Sequence, residues 1–219
     1  MKIGLFCEGS VDFPLVSALL ERIAADRADV HWPLNIVDSV TEMRFRRGGD
    51  GQVVKAVRHL KRRLDEGNCS EYSLFVIVLD RASKVPIARI RRMIRGDARF
   101  VFGTAIQEIE AWWLGDRQST LAWLRLAAGR PAGLRYWRNA YQAERDDDPK
   151  KTLDELTLVS PTVTVRYGRG NSGMASEFAG GWRIGALLTQ IEAECPRGFS
   201  PFCLQTTAAM RRVRFRRRA

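Results

Sequence analysis

Three acidic side chains have types and positions that could hold a divalent metal ion. Glu8 directly follows the apolar segment at residues 2–7, and Asp80 directly follows the apolar segment at residues 74–79. If both segments are parallel strands of one sheet, both carboxylates lie at the edge where such sheets bind ligands. Glu110 falls on the apolar face of a predicted helix, where an unpaired carboxylate is costly and needs a partner. Oxygen ligands of this kind suit Mg²⁺ or Mn²⁺ better than Zn²⁺.

Each of these acids also has a purely structural interpretation. Backbone N–H groups at the start of the next helix could satisfy Glu8, Asp80 could cap a turn, and Glu110 could pair with an arginine. Three acids that converge at one edge repel each other unless a cation neutralises them, which favours the metal hypothesis for the set as a whole. Glu108 is expected to face solvent.

Alternating strand and helix patterns over the first half of the chain predict an α/β fold with a mostly parallel, Rossmann-like sheet flanked by helices. The run LFVIVL at residues 74–79 is wholly apolar, as expected of a strand that is covered on both faces. Apolar residues at helical spacing predict helices near residues 52–66 and 86–95. A capping pattern that opens at Thr104 predicts another helix start there.

The chain divides into three predicted regions. Residues 1–117 form the α/β domain, residues 118–205 form a helical extension packed on it, and residues 206–219 form a basic, flexible tail. Within the extension, residues 168–173 (GRGNSG) are expected to form a loop, because Gly, Asn and Ser favour turns. No run approaches the roughly 18 apolar residues of a membrane helix, so we expect a cytoplasmic protein without a membrane partner.

The charge balance favours a polyanionic partner. The chain has 36 Lys and Arg residues against 25 Asp and Glu residues, a net charge of +11. Nucleic acid and acidic proteins are the partners that such an excess attracts. The candidate nucleic-acid-binding residues form two arginine clusters: Arg44, Arg46 and Arg47, and Arg89, Arg92 and Arg95. A solvated helix face is the alternative interpretation of each cluster.

Cysteine and histidine give no sign of a further catalytic site. The four cysteines are scattered without a CxxC pair, and neither histidine has Cys or His neighbours at ligand spacing. A zinc site is therefore not expected. The two histidines, His31 and His59, also sit in segments that argue against Ser-His or Cys-His chemistry.

Several motifs give the chain a resemblance to a known family. The residues Glu8-Gly9-Ser10-Val11-Asp12, which follow an apolar strand, resemble the opening motif of TOPRIM domains. The segments 77–80 (IVLD), 107–116 (QEIEAWWLGD) and 148–153 (DPKKTL) are similar to a TOPRIM-like family catalogued as domain of unknown function 4276. The resemblance spans most of residues 1–205.

The resemblance implies a Mg²⁺- or Mn²⁺-dependent nuclease that cleaves nucleic-acid phosphodiesters, DNA rather than RNA. It implies that Glu8 acts as acid/base or metal ligand and that Asp80 holds the metal, with Glu110 as the third member of the site. It adds Lys150, from the Pro-Lys segment, to the nucleic-acid-binding candidates. It also implies bacterial defence against phage together with an ATPase partner of the AAA or ABC type, and it leaves self-association open.

One position departs from the family pattern. The family has Asp-x-Asp after its second strand, whereas this chain has Asp80-Arg81-Ala82. Either Glu110 supplies the missing charge, or the site is weakened or inactive, since Ser83 offers only a neutral hydroxyl. The chain is thus expected to be an active nuclease or a silent subunit. A silent subunit would bind nucleic acid or the ATPase through its basic surface.

Overall fold

The computed structural model describes residues 1–7, 9, 11–39, 52–80, 87–126, 136, 141–163 and 166–218, without the side chains of residues 52, 169–172 and 215–218. Several predicted positions lie outside these ranges: Glu8, Arg44, Arg46, Arg47, Ala82 and Ser83.

The sheet is parallel throughout the described residues. Its four strands are β1 (Lys2–Cys7), β2 (Asn35–Asp38), β3 (Leu74–Asp80) and β4 (Phe100–Ala105), in the spatial order β2-β1-β3-β4. Cys7 pairs with Val78, so β1 and β3 end at the same edge of the sheet. The predicted α/β class, with a parallel sheet flanked by helices, is confirmed.

Helices follow each strand and make up the second half of the chain. They are α1 (Asp12–Asp26), α2 (Gln52–Asp65), α3 (Ile87–Ile94), α4 (Glu110–Gly115), α5 (Arg117–Trp123), α6 (Pro149–Val159), α7 (Tyr167–Gly185), α8 (Leu188–Glu194) and α9 (Phe199–Arg218), with a 3₁₀ turn at Ala143–Arg145. Across the described ranges, none of these helices has the length and apolar character needed to cross a membrane.

Alternation along β3 divides the interior into two cores. One core contains Leu74, Val76 and Val78, and the other contains Phe75, Ile77 and Leu79. Successive side chains of a strand point to opposite faces, so β3 is covered on both sides, as its wholly apolar sequence predicts. Helices α2 and α3 cover the second core, whereas α1, α4, α7 and α9 contribute to the first. Helices that follow residue 117 therefore complete the face that α1 begins.

The predicted helix start at Thr104 is wrong. β4 continues through Ala105, and Thr104 pairs with Leu79 in the sheet. Gln107 then has φ +65°, and α4 begins only at Glu110. Pairing with β3 satisfies the backbone of Thr104 within the sheet, and this outweighs the local preference for a helix cap.

The loop predicted at residues 168–173 is also wrong, because these residues belong to α7. Tyr167, Met174, Phe178 and Trp182 are buried at helical spacing along this helix. Burial of this apolar stripe outweighs the weak helix propensity of the glycines.

The basic segment from residue 206 onward is helical to residue 218, whereas the sequence predicts a flexible tail. Thr206, Ala209 and Met210 are buried. Arg211 donates a hydrogen bond to the Arg27 carbonyl (2.6 Å), and Arg214 forms an ion pair with Asp29. These contacts fix α9 against the turn that follows α1.

Candidate metal centre

Asp80 is the last residue of β3 and lies at the carboxyl edge of the sheet. Burial, together with the neighbouring carboxylates of Asp12 and Glu110, raises the pKa of its carboxyl to about 8. Asp12 opens α1 and accepts a hydrogen bond from the Gly9 amide (2.8 Å), which connects it to the turn after β1. Acidic groups from β3, α1 and α4 are therefore close enough to repel one another.

Glu110 is the most buried member of this group, with 1 % of its surface exposed. Its Oε1 accepts a hydrogen bond from the Tyr167 hydroxyl (2.6 Å) and lies 4.0 Å from Lys150 Nζ. Its Oε2 is buried and has no hydrogen-bond partner within the described residues. Burial raises the pKa of Glu110 to about 7, although Lys150 and Tyr167 oppose the shift.

Lys150 is the cation of the site. It lies in the first turn of α6, whose N-terminus is capped by Asp148, and its Nζ lies 2.7 Å from Glu108 Oε1. Burial lowers the pKa of Lys150, but Glu110, Glu108 and Asp80 outweigh that effect, so the net shift is upward and the ammonium stays charged. Glu108, which the sequence predicts to face solvent, is only 23 % exposed and is paired with this lysine.

Three other buried carboxylates show how this protein satisfies a structural acid: Asp116, Glu144 and Asp146. Each of them accepts at least three hydrogen bonds. Asp116 accepts from Ser119 N, Trp182 Nε1 and Leu187 N, and Glu144 accepts from the amides of Arg197 and Gly198 and from Arg197 Nε. Asp146 accepts from Tyr141 OH, Asp148 N and Thr152 Oγ1. Glu110 is the exception, because one of its oxygens has no donor in the described part of the chain. A buried acceptor without a partner is rare and calls for an explanation, such as an ion.

The sequence did not predict that Tyr167 contacts Glu110. Its hydroxyl holds Glu110 Oε1, and burial followed by the Glu110 charge raises the pKa of its phenol. The phenol therefore stays protonated and acts as a hydrogen-bond donor. The apolar residues at helical spacing after Tyr167 could have indicated a helix that begins there, but the glycines between them favoured a loop.

The structure brings together Asp80, Glu110 and Lys150 of the predicted site residues. It adds Asp12, Glu108 and Tyr167, which surround them. The arginines Arg89, Arg92 and Arg95 are exposed on or just after α3, which covers the other face of the sheet.

No complete set of ligands is present among the described residues, since no three His, Cys, Asp or Glu side chains there could together hold a metal ion. Asp80 and Glu110 can supply two carboxylates, and the unpartnered oxygen of Glu110 fits a hard cation. Glu8 is the third predicted carboxylate. It follows Cys7 in sequence, the residue at which β1 ends at this same edge.

Comparison of the chain with protein-family models, with curated proteins and with solved structures finds no significant match. The resemblance to TOPRIM-like proteins therefore stays a prediction, and the candidate site rests on its residues and their geometry.

The substitution Asp80→Asn should change how stability depends on pH. The pKa of Asp80 is raised from 3.8 to about 8 on folding, so between these values the folded protein keeps a proton that the unfolded chain releases. Rising pH therefore destabilises the wild type. From about pH 5 to about pH 8 in EDTA, we expect its free energy of unfolding to fall by at least about 1.4 kcal/mol more than that of Asp80→Asn. Chemical denaturation measures this difference, and parallel pH dependences would contradict it.

The substitution Tyr167→Phe should raise the pKa of Glu110. It removes the donor that stabilises the charged form, so we expect an upward shift of about one unit from the present value near 7. Carboxyl ¹³C NMR during a pH titration measures it. Tyr136→Phe is the matched control, because it removes another buried phenol hydroxyl, one that donates to the Leu114 carbonyl (3.0 Å). An equal pKa in both variants and the wild type would show that Tyr167 has no influence on Glu110.

Proposed function

We propose that this protein is a Mg²⁺- or Mn²⁺-dependent, TOPRIM-like nuclease that cleaves nucleic-acid phosphodiesters, with DNA as the preferred substrate. The observation that carries the proposal is the carboxylate of Glu110, buried at the edge of a parallel sheet with one oxygen unpartnered among the described residues. Burial is the main cause of the raised pKa of Asp80, and the charges of Asp12 and Glu110 add to it, so Asp80 and Glu110 are electrostatically coupled. A divalent cation is the partner that relieves both the burial and the repulsion.

Asp80 and Glu110 would hold the ion, with Glu8 as the third carboxylate. A bound Mg²⁺ supplies charge that polarises the phosphate and lowers the pKa of an attacking water. Tyr167 fixes the orientation of Glu110 through its hydrogen bond, which leaves Oε2 for the ion. Lys150 is 47 % exposed and stays charged, so it can neutralise a phosphate oxygen that approaches the same edge. Glu8 would act as acid/base or as a metal ligand.

Two observations favour a second function, a catalytically silent subunit that binds nucleic acid or its partner through its basic surface. Lys150 Nζ lies 2.7 Å from Glu108 and 4.0 Å from Glu110, so a lysine already neutralises part of the acidic group. Ala82 stands where the resembling family has a second aspartate. In this alternative, the carboxylates and Lys150 stabilise the fold without binding a metal.

The same resemblance supports a cellular role as the effector of an anti-phage defence system. The chain would then act with an ATPase of the AAA or ABC type, and nuclease activity would depend on that partner. Metal binding at the site does not require the ATPase, because the proposed ligands are all carboxylates of this chain.

A nuclease assay with Mg²⁺ or Mn²⁺ on plasmid, single-stranded DNA and RNA tests the proposal. We expect Glu8→Ala and Asp80→Asn each to lower the cleavage rate by at least about 100-fold, because both remove a carboxylate of the centre. Glu66→Gln, which neutralises an exposed acid at the end of α2, should leave the rate unchanged.

Equal cleavage by the wild type and both site variants would discard the site. Absence of cleavage by the wild type, with and without the ATPase, would support the silent subunit instead.

A further inference from the structure

An open groove runs along β4, the strand at one edge of the described sheet, between α3 and α9. We call it the β4 groove. It has a volume of about 590 Å³, and its lining includes Arg91, Asp97, Phe100, Phe102, Gln205 and Arg212. The groove is separate from the carboxylates of Asp80 and Glu110, which contribute nothing to its walls.

The walls of the groove are positively charged. Neither α3 nor α9 contains an aspartate or a glutamate. Arg91 and Arg212 are exposed, and no acid in the described part of the chain forms an ion pair with either of them. Asp97 is the one acid in the lining, and it is held by Arg99 (2.6 Å) and Lys61 (3.4 Å). The hydrogen bond from Arg99 lowers the pKa of Asp97 to about 2, so this acid is already neutralised by cations of its own.

Arg91 is held in place at one end of the groove. Its guanidinium donates a hydrogen bond to Thr104 Oγ1 (3.1 Å) and lies 5.1 Å from the centre of the Phe102 ring. A guanidinium has five N–H donors, so most of them stay available to a ligand. Thr104 pairs with Leu79, the residue before Asp80. Arg91 therefore contacts the part of β4 that lies toward the carboxylates, whereas Gly96, Asp97 and Ala98 line the groove just before β4 begins.

Contacts on the far side of α9 fix the other wall. Arg211 and Arg214 bind the turn after α1, which sets the rotation of the helix. Gln205 and Arg212 are seven residues apart, two turns of helix, and both line the groove. An amide and a guanidinium on a positioned helix thus lie in the wall that faces Arg91 across β4.

We propose that the β4 groove binds the phosphate backbone of the nucleic acid whose cleavage is proposed above, and the inference rests on that function. Guanidinium groups match phosphate oxygens in geometry and charge. Regularly spaced phosphates fit a groove with arginines on both walls. Through its contact with Thr104, Arg91 connects the groove to the strand position that pairs with Leu79, the residue before Asp80. Arg91 and Arg212 are the two residues that we expect to bind phosphate oxygens in this groove.

Binding of a fluorescent single-stranded oligonucleotide, followed by anisotropy in EDTA, tests the proposal without cleavage. The double variant Arg91→Gln/Arg212→Gln loses two phosphate contacts. The slope of log K against log [salt] is negative, and we expect its magnitude to decrease by about 1.4 and the affinity to fall about 25-fold at about 0.1 M salt. The control, Lys55→Gln/Arg58→Gln, removes the same charge from an exposed face of α2 and should change affinity less than about 3-fold. Circular dichroism and unfolding midpoints verify that both double variants are folded.

Equal affinities of the wild type and the groove variant would overturn the proposal, whether or not the protein cleaves. Competition by poly-glutamate as effective as that by unlabelled oligonucleotide would also overturn it, in favour of an acidic protein segment. Selective loss of binding in the groove variant supports it even if no cleavage is found with Mg²⁺, in which case only the nuclease proposal fails.

Discussion

The buried carboxylate of Glu110 is the constraint on which the candidate site depends. A glutamate with 1 % of its surface exposed must find donors or a cation, or take up a proton. This protein supplies one hydrogen bond from Tyr167 and a lysine at 4.0 Å, and it leaves Oε2 unpartnered in the described part of the chain. The nearby Asp80 is buried as well, and its raised pKa shows that its carboxyl group bears the same cost when it loses its proton. A divalent cation resolves both conditions at once, which is why we connect this arrangement with metal chemistry.

The helical half of the chain builds this environment around an ordinary sheet edge. Tyr167 comes from α7 and Lys150 from α6. Asp146 accepts hydrogen bonds from the Asp148 amide and the Thr152 hydroxyl, at the start of α6. Asp116 connects the start of α5 to Trp182 of α7 and to the backbone before α8. Glu144 binds the amides that precede α9. The fully hydrogen-bonded acids thus connect the helices of the second half to one another, and Glu110, whose Oε2 has no partner among the described residues, lies between these helices and the sheet.

The sequence predicted the parts that depend on local pattern. Strands β1 and β3 follow from apolar runs, and their parallel pairing places their ends at one edge. The burial of Glu110 was predicted correctly, but from a helix thought to begin at Thr104, whereas Glu110 is the first residue of α4. Tyr167 was not predicted, because a glycine-rich segment becomes helical only through packing against the rest of the protein. Contacts between distant segments, such as Lys150 with Glu108, leave no pattern in the sequence.

Anomalous diffraction from crystals soaked in Mn²⁺ tests the central claim most directly, because it locates the ion without relying on activity. We expect a peak at the carboxyl edge of the sheet, in contact with the carboxylates of Asp80 and Glu110 and with Glu8 as a further ligand. A peak there would assign Oε2 of Glu110 its missing partner. Crystals with Mn²⁺ bound only elsewhere, or with Lys150 as the sole cation at these carboxylates, would contradict the account.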